Sequence, residues 1–265
     1  MIFQRLIWAA LATALVVGSV QTGVQRLQVA PLILAAEAFE EQKTVSHEAE
    51  PAHTHTHSHG AEEAWQPQSS AERIGWTWVA NILHAFSMAL LLFAVMGVWL
   101  YRRGTASTPW GLAAWVAAAG WLCLHFWPAL GMPADIPGVE VAPLRDRQVW
   151  WLLAVSGAAA ACAVAGFART AWRWPVVVAL LALPFAVGAP QVQGDPLAGF
   201  GPQAHADMER LGTQFVWATT LVSISFWVSM GAIGGWAFQR WLRPAVSAML
   251  DRVRTASVDT HRVAP

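Results

Sequence analysis

The stretch WTWVANILHAFSMALLLFAVMGVWL, residues 76–100, contains no Asp, Glu, Lys or Arg. A helix needs about 20 predominantly apolar residues to cross the hydrocarbon layer of a bilayer, so this segment is long enough to span one. Its apolar residues are continuous, whereas the strands of a membrane barrel alternate polar and apolar positions. The segment therefore predicts a transmembrane α-helix.

Similar apolar blocks recur along the chain, in which 56% of residues are hydrophobic and only 12% are charged. A soluble domain carries about 25% charged residues. We predict an all-α, polytopic transmembrane helical bundle with six spans, the first of which is an uncleaved helix. The blocks are Leu6–Gln25, Trp76–Leu100, Trp110–Leu130, Val149–Ala168, Trp174–Pro190 and Thr213–Phe238. The fifth block is the shortest and contains Pro184, so five spans is the alternative.

The distribution of Lys and Arg predicts the orientation, because cytoplasmic loops are enriched in these residues. With six spans, ten basic residues fall on one side and six on the other, which places both termini in the cytoplasm. The inner set is Arg5, Arg102, Arg103, Arg169, Arg173, Arg240, Arg243, Arg252, Arg254 and Arg262. The outer set is Arg26, Lys43, Arg73, Arg145, Arg147 and Arg210.

The acidic residues are polarised in the opposite sense. Under the same topology fourteen of the sixteen Asp and Glu residues lie outside, and only Asp251 and Asp259 lie inside. The chain is neutral overall, but its outer face is acidic and should raise the local concentration of cations.

The most distinctive outer segment is HEAEPAHTHTHSHGAEEAWQPQSS, residues 47–70, which lacks an apolar period and is typical of disorder. In an extended chain its alternating residues His53, His55, His57 and His59 lie on one side, where several can bind one ion. We predict a single transmembrane domain over 1–265, with a His-rich disordered extracytoplasmic loop at 41–73 and a cytoplasmic tail at 244–265. The alternative for the loop is a solvated linker.

Ionisable residues inside a membrane are costly and are candidates for function. His84 and Asn81 fall in the second block and His125 ends the third, all expected on the outer side, where the two histidines are close enough in depth to meet. After His125, prolines and glycines break the helix and precede Asp135. Carbonyl and carboxylate oxygens of this kind line ion paths. The alternative is that each histidine only packs helices through a hydrogen bond.

Other features are expected to serve packing. Gly157, Ala161 and Ala165 form a row of small residues, and so do Gly231 and Gly235. Nine of the 17 Trp residues fall near block ends and are expected to be interfacial anchors: Trp76, Trp78, Trp99, Trp110, Trp127, Trp150, Trp151, Trp174 and Trp241. The cysteines, Cys123 and Cys162, lie in separate blocks and are expected to be core residues without a disulfide.

Catalytic signatures do not occur in the sequence. It contains no GxxxxGK[ST] loop, no HExxH, no CxxC pair and no GxSxG elbow. We therefore predict that the protein is not an enzyme, has no prosthetic group and binds no nucleic acid, its partners being the bilayer and a metal ion.

Several segments, taken in order, resemble the CbtA family of predicted cobalt transporter subunits over nearly the whole chain. They are QRLQVAPLILAAEAFE at 25–40, AERIGWTWVAN at 71–81, HFWPALGMPADIPG at 125–138, RDRQVWWL at 145–152 and LPFAVGAPQ at 183–191. The resemblance implies cobalt uptake linked to cobalamin synthesis at a bacterial inner membrane, with a small one-helix partner, CbtB. It points to Glu37, Glu40, Asn81, His125, Pro128, Asp135, Arg147, Gln148 and Pro190. Phe185 departs from the family, which often has a histidine there.

The sequence thus predicts a transporter, or transporter subunit, for a divalent transition metal. Co²⁺ is the expected ion, with Ni²⁺ and Zn²⁺ as alternatives because all accept imidazole ligands. The predicted metal-binding residues are His53, His55, His57, His59, His125, Glu37, Glu40, His84, Asn81 and Asp135. The alternative function is a membrane-anchored metal-binding or assembly factor that does not itself transport.

Overall fold

The structure, a computed structural model, describes residues 2–48, 69–104 and 108–249. Within these ranges the chain is helical and contains no strand, which confirms the all-α prediction. The helices are α1 (Ile2–Gln28), α2 (Ala30–Glu48), α3 (Ser70–Arg103), α4 (Pro109–Ala129), α5 (Leu144–Phe167), α6 (Arg173–Val187) and α7 (Pro202–Met249). The histidine run at 53–59 and residues 250–265 of the predicted tail lie outside the described residues.

Five of these helices, α1, α3, α4, α5 and α7, are long and apolar enough to cross a membrane. Helix α6 has 15 residues, which is about 22 Å at the usual rise and short of a hydrocarbon layer of about 30 Å. The six-span count and the predicted side of each terminus are therefore not confirmed. Helical structure also reaches Glu48 and resumes at Ser70, so both ends of the predicted 41–73 loop are helical.

The chain divides into two compact units, and whether they form the predicted single domain stays a prediction. Unit 1 comprises Met1–Gly23, Trp76–Trp121 and Ser223–Pro265. Its helices approach closely at small residues. A Cβ placed on Gly235 would lie 2.9 Å from the Cβ of Ala113, and one on Gly231 would lie 3.1 Å from that of Ala117. The glycine row predicted in the last block is therefore a contact within the chain, between α7 and α4.

Unit 2 comprises Val24–Gly75 and Leu122–Val222. A buried cluster joins α2, two loops and the first part of α7: Ala36 of α2, Ile136 and Leu197 of the loops, and Met208 and Phe215 of α7. This cluster explains why α2 forms although it is not an apolar span. One helical face carries Ala36 with Leu32 and Ile33 into the core. Glu37 lies on another face, whereas Glu40 follows Ala36 by four residues and its Cβ lies 3.6 Å from where a Cβ on Gly138 would be.

Helices α5 and α6 of unit 2 form an antiparallel pair with a close approach at Gly157. Pro184 has no N–H to donate to the carbonyl of Leu180, four residues earlier. That carbonyl oxygen lies 2.8 Å from where a Cβ on Gly157 would be, so only glycine fits there. Nearer the start of α5, the indole Nε1 of Trp150 donates to the Pro184 carbonyl at 3.0 Å. Trp150 is 3% exposed, and its predicted role as an interfacial anchor is wrong because the ring is buried between helices.

The two cysteines, distant in sequence, lie together in unit 2. The Sγ atoms of Cys123 in α4 and Cys162 in α5 are 3.7 Å apart, which is contact distance for two thiols. Both cysteines are free.

Mild oxidation with the membrane-permeable oxidant diamide is expected to join these two thiols, because they are already in contact. The chain contains no other cysteine, so the reaction can be counted by labelling the denatured protein with maleimide-polyethylene glycol. Two labels are expected before oxidation and none after it. A Cys162→Ser variant should keep its one label throughout. Two labels on the oxidised parent would contradict the packing of α4 on α5.

Candidate metal site

Asp135, one of the predicted ligands, lies in the loop after α4. Asp135 Oδ2 accepts a hydrogen bond from Arg147 Nη2 at 3.0 Å, and the two side chains are 33% and 27% exposed. Burial raises the pKa of the Asp135 carboxyl, while the Arg147 guanidinium lowers it. Asp135 is thus paired with the guanidinium of Arg147, and this positive charge favours the ionised form of the carboxyl.

Replacing Arg147 by glutamine is expected to raise the pKa of Asp135 further, because burial then acts without the opposing charge. Protonation removes the attraction of this carboxylate for a cation. The acid-side loss of Co²⁺ uptake should therefore move to higher pH in Arg147→Gln, measured as initial uptake rates across a pH series. Arg145→Gln, at an exposed arginine two residues away, is the control. An unchanged profile, or one moved to lower pH, would contradict the pairing.

A second polar group lies between the end of α6 and the first turns of α7. His205 Nε2 is 3.3 Å from Asp195 Oδ2, and His205 Nδ1 is 3.8 Å from Glu209 Oε1. The other oxygen of Asp195, Oδ1, accepts the backbone N–H of Leu197 at 2.9 Å. That hydrogen bond lowers the pKa of the Asp195 carboxyl, and the neighbouring His205 adds to the effect. A turn within the loop therefore orients Asp195 toward the imidazole.

These residues share a pocket with Asp135. It is open, with a volume of about 360 Å³, and its polar lining consists of Asp135, Asp195, His205, Glu209 and Thr213. Val216 and Ile136 form part of its apolar wall. The pocket thus presents three carboxylates and one imidazole to solvent at the edge of the apolar helices.

His125 lies in a π-helical turn, Leu122–Phe126, inside α4. Such turns are rare and are frequent at functional sites. The ring is half-buried, and its Nε2 is 3.3 Å from Thr220 Oγ1 of α7. Because the Thr220 hydroxyl donates its one proton to the Val216 carbonyl at 2.7 Å, Nε2 must be the donor to Thr220. In the neutral ring Nδ1 is then the nitrogen with the lone pair.

The predicted ligands in unit 1 have packing partners. The buried Asn81 Nδ2 donates to Thr22 Oγ1 at 2.9 Å, which ties α3 to α1. His84 is on the exposed surface of α3, and its ring centroid is 5.0 Å from that of Phe226. The ring contact of His84 is consistent with a packing role, and the predicted role of Asn81 and His84 as ligands stays a prediction.

The remaining predicted ligands lie on α2 or outside the described residues. Glu37 Oε2 is 3.7 Å from Arg73 Nη1 in an exposed ion pair. Glu40 is also exposed. Across the ranges 2–48, 69–104 and 108–249, no three His, Cys, Asp or Glu side chains form a group able to hold a metal ion. Glu37, Glu40 and His125 are thus not assembled into a ready-made chelate.

From the sequence, Asp195 and His205 were predicted only as members of a group of outer polar residues that could form a vestibule, and Glu209 was not singled out. Asp195 and His205 are ordinary when taken alone, since interfacial polar residues are common at the ends of spans. The available signals were the Asp-Pro dipeptide at 195–196, which favours a turn, and the four-residue spacing of His205 and Glu209 on a helix. Neither signal indicates that the turn at Asp195 lies next to His205 of α7.

Five helices that are long and apolar enough to cross a membrane define a multi-spanning helical membrane protein. A family model described as "Probable cobalt transporter subunit (CbtA)" matches residues 3–239. The chain belongs to this family, which confirms the resemblance in its sequence and makes it a probable subunit of a cobalt transporter. No curated protein and no solved structure matches it.

Proposed function

We propose that this chain carries Co²⁺ inward across a bacterial inner membrane, in connection with cobalamin synthesis. The observation that carries the proposal is the family match over residues 3–239. The chemistry of the pocket supports it, since imidazole and carboxylate groups are suitable ligands for a late first-row divalent ion. The ion is cargo, and the chain needs no prosthetic group and performs no catalysis.

The driving force in this proposal is the membrane potential, because the sequence has no nucleotide-binding loop. A negative interior favours entry of each positive charge by about 2.3 kcal/mol per 100 mV, and therefore of a divalent ion by about 4.6 kcal/mol per 100 mV. This free energy is sufficient to bias the direction of movement without ATP.

Helix α6 serves as a sixth, short crossing in the proposal, with both termini in the cytoplasm. Support comes from its pairing with α5: Trp150, near the start of α5, contacts Pro184, near the end of α6. A Cβ on Gly131 would also lie 3.4 Å from the Cβ of Ala189, just after α6. The chain thus returns to the end of unit 2 from which α5 began. A short helix can be accommodated by local thinning of the bilayer.

In this proposal the ion passes the predicted ligands in turn. The outer loop with His53, His55, His57 and His59 collects the metal, and the acidic residues Glu37 and Glu40 of α2 attract it. Asp135 and the pocket receive it, and His125 in the π turn passes it on. Asn81 and His84 of α3 are further polar ligands in this proposal. A one-helix subunit of the CbtB type completes the transporter.

The second candidate is a membrane-anchored factor that presents metal to another protein without moving it. In the described ranges no three potential ligands converge into a metal-holding group, which does not support a factor that must hold metal for its partner. Transport through successive weak sites accounts for the same observation, because an ion that must leave again is bound by few ligands at a time.

Uptake of Co²⁺, Ni²⁺ and Zn²⁺ by cells expressing the chain, with and without residues 47–63, tests the proposal. Deletion should reduce Co²⁺ uptake at low external metal only, because the loop raises the local concentration without forming the path. A His125→Ala, Glu37→Ala double variant should lose uptake at all concentrations. Unchanged uptake in the double variant would refute the proposed path, and preference for Ni²⁺ or Zn²⁺ would refute the choice of cobalt.

A further inference from the structure

The imidazole of His205 lies between two carboxylates, with Asp195 on its Nε2 side and Glu209 on its Nδ1 side. An ionised carboxylate only accepts hydrogen bonds, so in the ring without metal Nε2, 3.3 Å from Asp195 Oδ2, is the nitrogen that donates to that oxygen. Metal-binding histidines commonly direct the second ring N–H at a carboxylate, which orients the ring and makes it more basic. Glu209 Oε1, 3.8 Å from Nδ1 and four residues later on α7, is in position for this interaction.

A divalent cation that takes the place of the Nε2 proton leaves the ring proton on Nδ1, beside Glu209, and two electron-pair donors then face the ion. They are His205 Nε2 and Asp195 Oδ2, which are 3.3 Å apart. Two ligands bound to one late first-row ion at about 2.1 Å each are about 3.0 Å apart at 90° and about 3.4 Å apart at the tetrahedral angle. The observed separation therefore matches a pair of ligands around one cation.

The surroundings of His205 and Asp195 favour reversible binding of an ion. Asp195 is held by its turn, through Oδ1 and the Leu197 N–H, so Oδ2 is presented without a further conformational cost. The His205 side chain is 32% exposed and that of Asp195 is 53% exposed, and both line the open pocket of about 360 Å³. Water can fill the other coordination positions there. The one arginine bonded to a pocket carboxylate in the described ranges, Arg147, is paired with Asp135.

We propose that His205 Nε2 and Asp195 Oδ2 together bind a divalent cation at the mouth of this pocket, with Glu209 as the residue that positions the imidazole. The site rests on the proposed function, since it is a place where transported Co²⁺ exchanges bound water for protein ligands. Two protein ligands hold the ion weakly enough for it to move on.

Equilibrium binding of Co²⁺ to the purified full-length chain tests this site. All variants are made in a background in which His53, His55, His57 and His59 are replaced by serine, so that the loop does not mask the pocket. The variants are His205→Ala, Asp195→Asn and Glu209→Gln. An asparagine side-chain oxygen can still accept the Leu197 N–H, so Asp195→Asn removes a ligand while keeping the turn. Asp207→Asn is the matched control, because Asp207 is acidic, lies on the same helix and is not part of the pocket.

We expect His205→Ala and Asp195→Asn to weaken Co²⁺ binding at least about tenfold, and Glu209→Gln by about tenfold, the lower end for a residue that orients a ligand. Asp207→Asn should bind as the background protein does. Unchanged affinity in both His205→Ala and Asp195→Asn would overturn the site and indicate a simple ion pair. Reconstitution distinguishes failure of the site from failure of the proposed transport. If His205→Ala and Asp195→Asn lose affinity while the parent protein moves no Co²⁺ into liposomes, the site is supported and the transport function is refuted.

Discussion

Replacing His125 by alanine is expected to reduce Co²⁺ uptake at least about tenfold, which is the largest functional effect that the structure predicts. The ring lies in the π turn of α4, half-buried, with Nε2 directed at Thr220. In the neutral ring that bond leaves the lone pair on Nδ1, which is the nitrogen that would bind the ion in the proposed path. Loss of a group that supports metal binding typically costs about 10–100-fold in affinity. The measurement is the initial rate of cellular Co²⁺ accumulation, normalised to the amount of protein in the membrane.

His125→Gln separates this role from helix packing. Glutamine can donate to Thr220 and so preserve the contact between α4 and α7, but it offers no imidazole nitrogen. We expect His125→Gln to be nearly as defective as His125→Ala. Thr220→Val removes the hydrogen-bond partner only, and a severalfold loss is expected because the ring is less well oriented. Full uptake by His125→Gln would show that the residue serves packing alone.

Replacing Trp150 by alanine should have the largest effect on stability. Its ring is 3% exposed, donates to the Pro184 carbonyl at 3.0 Å and lies edge-on to Phe185 with centroids 6.0 Å apart. A Cβ on Gly131 would be 2.4 Å from the same ring, so the indole also fixes the loop after α4. Truncation of a buried tryptophan costs about 3–5 kcal/mol. At about 2–4 °C per kcal/mol for a chain of this size, the Tm should fall by about 6–20 °C.

Trp151→Ala is the matched control, because the next residue on the same helix is 36% exposed. Thermal unfolding of the detergent-solubilised variants should leave Trp151→Ala within a few degrees of the parent. Trp150→Phe keeps an aromatic ring and loses the N–H donor, so its Tm should lie between those of the parent and Trp150→Ala. Equal effects of Trp150→Ala and Trp151→Ala would contradict the packing of α5 on α6.

Much of the fold follows from the sequence because membrane spans are defined by long uncharged runs. The blocks at residues 6–25 and 76–100 fall within α1 and α3. The block at 149–168 falls within α5 except for its last residue. Helix α2 was not predicted from the sequence, because it contains several acidic residues and therefore lacks a long uncharged run. Its stability depends on the contact of Ala36 with residues far along the chain. The short α6 was found, but its length leaves it outside the helices that clearly span.

The site was less predictable than the fold, for physical reasons. In a membrane helix the apolar pattern surrounds the whole cylinder, so it does not indicate which of Trp150 and Trp151 is buried. The proximity of Asp195 to His205 depends on a turn that no periodicity describes. The ion pair of Asp135 with Arg147 joins residues 12 positions apart, across a loop rich in proline whose path the sequence does not reveal.

The central claim is that the chain moves Co²⁺ across a bilayer, and reconstitution tests it most directly. Purified protein is placed in liposomes that enclose a Co²⁺-quenched dye, with and without a one-helix CbtB-type subunit, and a potential that is negative inside is applied. The account predicts quenching that depends on the protein and the potential and is lost in the His125→Ala variant. Binding of Co²⁺ to the outside of the liposomes with no quenching inside, in both preparations, would contradict it.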